Sequence, residues 1–107
     1  MTAEEYFELL FQKYGDDFNW MMIPLSTNTF VEELKRELGS TLPNNPIYAV
    51  AKCKSNDDVL FLVGDVFRIY HLTYARDRNT GLPKYIEFEE LSAVMKHIEK
   101  EYLAIYL

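Results

Sequence analysis

Apolar residues change their spacing at Ile47. Before it they recur every three or four residues; after it, until a last helical stripe near the end, they fall in short runs of strand length. The first spacing selects helix and the second strand, so helices and sheet come in separate blocks. Tyr6, Phe7, Leu10, Phe11 and Tyr14 form a broad stripe behind Thr2-Ala3-Glu4-Glu5, which has the spacing of a capping box. Gly15 stands where a left-handed residue ends a helix, which predicts a helix over 3–14. A second stripe, Phe30, Val31, Leu34 and Leu38, follows a second capping box at Thr29-Phe30-Val31-Glu32 and stops at Gly39, predicting a helix over 30–38. Between the two, residues 16–28 have no period and are too apolar for a solvated loop. They are expected to cross the domain as an irregular, partly buried segment.

Residues 40–46, with two prolines and two asparagines, read as a loop, and strands are expected over 47–53, 59–63 and 66–74. The turn cluster Ser55-Asn56-Asp57-Asp58 and the two-residue turn Gly64-Asp65 link them as an antiparallel meander. Arg76–Pro83 reads as a polar loop with a turn at Thr80-Gly81, and residues 85–88 as a fourth, short strand. Leu91, Met95, Ile98, Tyr102 and Ile105 place a last helix at 89–104. The expected fold is α+β: one domain over 1–107, with a three- to four-stranded antiparallel meander packed against the N-terminal and C-terminal helices. The first and third helices are expected to cover one sheet face.

Charge narrows the partners. The formal net charge is −6, with an excess of acid in residues 1–46 and 87–107 and a slight excess of base between. Binding to nucleic acid or anionic membrane needs a basic face, so neither is expected. An acidic N-terminus and the lack of any run of about 20 apolar residues predict no leader and no membrane span. The single Cys53 forms no internal disulfide, and a reducing cytoplasm is the expected compartment.

Chemistry-bearing residues are few. One cysteine and two histidines match no zinc spacing, and Asn56-Asp57-Asp58 lacks the rest of a calcium loop, so no metal and no cofactor are expected. On the strand over 66–74, His71 alternates onto the face of Phe67, Ile69 and Thr73, and is expected to be a buried, hydrogen-bonded histidine. Cys53 is expected to be a small buried hydrophobe. No catalytic residue is assigned. The segment Asp16-Asp17-Phe18-Asn19-Trp20-Met21-Met22 gathers acid, aromatic and thioether groups. It reads either as a plug at the core edge or as a protein contact made by Asp16, Asp17 and Trp20.

The stretch Asp58-Val59-Leu60-Phe61-Leu62, followed by Arg68-Ile69-Tyr70-His71-Leu72-Thr73-Tyr74, resembles small uncharacterised bacterial proteins. In these a hairpin ends in His-Leu-Thr and an aromatic, and a Pro-containing loop leads to a final helix. Over residues 57–106 the chain has that pattern, with Pro83 in the loop. In size and acidity the chain is also similar to bacterial immunity proteins. That likeness implies a non-enzymatic, protein-binding domain of immunity or antitoxin type, monomer or homodimer, that occludes a toxin. The alternative is a small enzyme or ligand-binding protein with a pocket near His71 and Tyr70.

Overall fold

In a computed structural model, which describes residues 1–75 and 81–106, the three helices and the strands after Ile47 come in the expected order, with one further strand between the first two helices. The first helix, α1 (Ala3–Tyr14), starts with its capping box closed. Glu5 N–H donates to Thr2 Oγ1 at 3.2 Å, and Thr2 N–H donates to Glu5 Oε1 at 3.0 Å. A single 3₁₀ turn, Gly15–Asp17, leads to the strand β1 (Trp20–Met22). The helix α2 (Thr29–Leu38) departs from expectation at its start. Asn28 is the N-cap, Thr29 is already helical, and no side chain caps the first turn, so the second capping box does not form.

Four more strands follow: β2 (Ile47–Cys53), β3 (Asp58–Val63), β4 (Val66–His71) and β5 (Tyr85–Phe88). The last helix, α3 (Leu91–Tyr106), closes the chain. All neighbouring strands pair antiparallel in the order β1-β2-β3-β4-β5, so among the described residues the sheet has five strands rather than three or four. The additional strand is β1, three residues too short and too aperiodic to show in the spacing. The β3–β4 hairpin turns on Gly64-Asp65 with Gly64 at φ +59°, which suits the glycine at the first central position of a type II′ turn.

Two cores sit on the two faces of the sheet. On one, Phe7 and Leu10 of α1 and Val94, Met95, Ile98 and Tyr102 of α3 pack with Phe18, Trp20, Ala51, Cys53, Leu60 and Ile69. On the other, Leu34 and Leu38 of α2 pack with Ile23, Ala49, Val59, Phe61, Val63, Tyr70 and Leu72. The sheet is therefore covered on both sides, which explains why β3, in the middle of the order, is apolar almost throughout rather than alternating. A register shift between Ala49 and Ala51 leaves Val50 as an extra residue on β2. Through it, Ala49 reaches the α2 core while Ala51 reaches the other.

The expected strand over 66–74 stops at His71. Beyond it the carboxylate of Glu37, in the last turn of α2, accepts from Thr73 N–H and Thr73 Oγ1, both at 2.8 Å, and from Tyr74 N–H at 3.2 Å. A side chain thus takes the place of a ladder partner, and Tyr74 adopts φ +52°. Of the polar loop expected at Arg76–Pro83, residues 76–80, including Thr80 of the turn, lie outside the described residues.

Candidate functional site

The three residues singled out as a protein contact are not a common surface. Trp20 is 4% exposed and belongs to the core under α1 and α3, opposite Cys53 in the β1–β2 ladder. This is a correction: Trp20 holds the fold together and presents nothing to a partner. The physical reason is β1 itself, which turns an irregular segment into a strand with Trp20 on its inward face. Asp16 and Asp17 are exposed in the 3₁₀ turn that follows α1.

His71 calls for a second correction. It does lie on the face of Ile69, but at the end of β4, outside the core cluster on that face, and its side chain is 56% exposed. Its Nδ1 stands 2.7 Å from Oδ1 of Asp58, its cross-strand partner. Tyr70, its neighbour, points to the opposite face and is buried in the α2 core. The two therefore do not line one pocket. The Tyr70 hydroxyl accepts from Arg68 Nη1 at 2.9 Å, while Arg68 Nε donates to Glu87 Oε1 at 2.8 Å. The Arg68 guanidinium also lies 4.6 Å from the centre of the Tyr85 ring. Arg68 is thus committed to partners inside the fold and ties β5 to β4.

Cys53 is buried and free, with Asn19 Nδ2 3.6 Å from its sulfur. Among the described residues no group of three or more His, Cys, Asp or Glu side chains is placed to hold a metal ion. Nor is any helix among them long and apolar enough to cross a membrane.

A concave feature lies at the β1–β2 end of the sheet. It is a groove of about 420 Å³ lined by Met22, Ile23, Pro24, Leu25, Tyr48, Ala49, Val50 and Leu62, with Glu4 of α1 also on its wall. Local sequence builds it. Ile23 N–H donates to Val50 C=O at 3.0 Å, and the ladder does not continue past that pair. The chain turns instead, with Thr27 N–H donating to Pro24 C=O at 2.9 Å. Leu25 sits in the middle of that turn and is 90% exposed. Tyr48, 55% exposed, pairs with Leu62 on the next strand, so the two side chains share a face. Most of the wall is apolar and one carboxylate stands beside it.

No family model, curated protein or solved structure matches this chain.

The groove and the acidic turn are far apart. They lie toward opposite ends of α1, a helix of 12 residues that spans about 18 Å at 1.5 Å per residue. Sequence reasoning found part of the groove, since Met22 belongs to the segment flagged for its Met and aromatic content. It missed Leu25, Tyr48 and Leu62. The available signal was the excess of apolar residues up to Leu25 before a helix that begins only at Thr29.

Proposed function

We propose that this chain is a protein-binding domain of immunity type, which occludes a basic partner by covering it with an apolar, acid-edged surface. The observation that carries the reading is the exposure of Leu25 and Tyr48 beside the groove of Met22, Pro24, Val50 and Leu62. A fully exposed leucine next to an apolar concavity forms a patch rather than a scattered residue, and such patches mark contact sites. The net charge of −6 adds to it, because an acidic protein draws a basic one and quickens the encounter. Glu4, at the groove wall, supplies a local carboxylate to a partner cation. In this reading Asp16 and Asp17 lie away from the anchor and act on association rate alone.

The test is capture of partners from the source cell with the wild type, Leu25→Lys and Asp16→Asn/Asp17→Asn as baits. Burying a leucine side chain contributes about 1.5–3 kcal/mol, so its loss weakens binding by roughly ten- to a hundred-fold. A basic protein recovered with the wild type and the double variant, and lost with Leu25→Lys, is the expected result. Equal recovery by all three baits removes the groove from the binding surface.

A further inference from the structure

The other end of the sheet carries an independent signal. Among the described residues β5 is an edge strand, exposed on both faces: Tyr85 is 50% exposed on the α2 side and Ile86 48% on the side of α1 and α3. Exposed edges are commonly blunted by a lysine or proline in the strand or by a bulge. Tyr85-Ile86-Glu87-Phe88 contains neither residue, and its register with β4 is unbroken.

The direction of the free backbone groups follows from the ladder. His71 N–H donates to Lys84 C=O, so the pair 71–84 is a hydrogen-bonded one. Alternation then makes 69–86 and 67–88 hydrogen-bonded pairs as well, and 70–85 and 68–87 pairs without such bonds. The N–H and C=O of Tyr85 and of Glu87 therefore point away from β4, four groups in a row on the open edge.

We propose that β5 is a dimerisation edge that pairs antiparallel with β5 of a second copy, Tyr85 facing Glu87 of the partner and Ile86 facing Ile86 across the two-fold axis. This register uses all four outward groups of each copy, in four bonds, because Tyr85 and Glu87 of each copy exchange bonds with Glu87 and Tyr85 of the other. It places two exposed isoleucines against each other and sets no like charges opposite. The neighbouring registers are worse. One sets Glu87 against Glu87; the other sets Glu87 against Pro83, which has no N–H to give. Glu87 itself is already paired with Arg68 at 2.8 Å, which moderates repulsion along the seam. The edge is thus complementary to itself, and a copy of this chain fits it better than a basic strand would. The product is a continuous ten-stranded sheet with β1 at either end, which leaves both grooves open.

Sedimentation velocity over a range of concentration, with disulfide trapping, tests this. The wild type is expected to rise to twice the 12.6 kDa chain mass, and Ile86→Lys, which puts two ammonium groups on the axis, to stay at one chain mass. In a pair without hydrogen bonds the facing Cα atoms are about 4.5 Å apart, within disulfide reach. Ile86→Cys should therefore cross-link between chains under mild oxidation, while Tyr48→Cys, equally exposed at the groove, should not. The wild type carries only the buried Cys53 and sets the background. A wild type that keeps one chain mass throughout, an Ile86→Lys variant that dimerises equally well, or equal cross-linking at positions 48 and 86 would each overturn the proposal. None of these outcomes depends on Leu25, so failure here leaves the groove reading intact.

Discussion

Trp20 and Leu25 stand five residues apart in the same apolar run and have opposite fates. Trp20 is inside because β1 pairs with β2 and turns its ring under α1 and α3; Leu25 is outside because the chain leaves that ladder after Ile23 and turns. Their substitutions should separate cleanly. Trp20→Ala removes a large buried ring and should cost about 3–5 kcal/mol. Leu25→Ala, at an exposed turn, should change stability by no more than about 0.5 kcal/mol. Urea titrations followed by circular dichroism measure both, and a Trp20→Ala loss no larger than that of Leu25→Ala would contradict the burial of the ring. Asn19, next to Trp20, is buried with its Oδ1 unpaired while its Nδ2 reaches Cys53 and Ser55. His71 shows the limit of alternation as a guide to burial. The period correctly places it on the face of Ile69, but burial also needs something to cover that end of the strand.

Two sequences of the same form begin the first two helices, and only one works as a cap. Thr2-Ala3-Glu4-Glu5 closes both reciprocal bonds, whereas Thr29-Phe30-Val31-Glu32 lies one position inside its helix. A capping hydroxyl helps only from the N-cap position, which at α2 is Asn28, not Thr29. Thr2→Ala should therefore destabilise the protein by about 1 kcal/mol. Thr29→Ala should be neutral or slightly stabilising, because alanine is the better helix former at an interior position. Thermal melts of the two variants decide the matter, and equal losses would mean that the α2 cap forms in solution. The other end of α2 has a different role: Glu37 holds the backbone of Thr73 and Tyr74 in place of a strand partner.

At the scale of the whole molecule, α1 and α3 are joined by one polar cluster over their shared core. Glu99 Oε2 accepts from the Tyr14 hydroxyl at 2.6 Å and from Lys13 Nζ at 2.9 Å. The Tyr14 hydrogen bond first, and the Lys13 bond next, hold the Glu99 carboxyl below its ordinary value of 4.5. A carboxyl lowered in the folded state binds its proton less tightly there than in the unfolded chain. Its contribution to stability is therefore present above about pH 4.5 and lost as pH falls through the lower folded value. Glu99→Gln should be less stable than the wild type near neutrality, and the gap should close as the solution is acidified below pH 4.5. Stability curves that stay parallel across that range would show that the carboxylate is not held by the cluster.

The sequence by itself determined the order of the helices and of the strands after Ile47, because period is a local property: helical stripes before Ile47, strand-length runs after it, a last helical stripe from Leu91, and glycines after the first two helices and at the Gly64 turn. It also determined the acidic balance that frames any partner. It did not determine β1, whose three residues become a strand only because β2 offers them a ladder. Nor did it determine which face each core takes, since the extra residue Val50 switches β2 from one face to the other and leaves no mark in the composition. The groove likewise depends on contacts between residues far apart in the chain, bringing Glu4, Leu25, Tyr48 and Leu62 to one place. Exposure follows from what covers a residue, and that is a property of the packed molecule rather than of its local sequence.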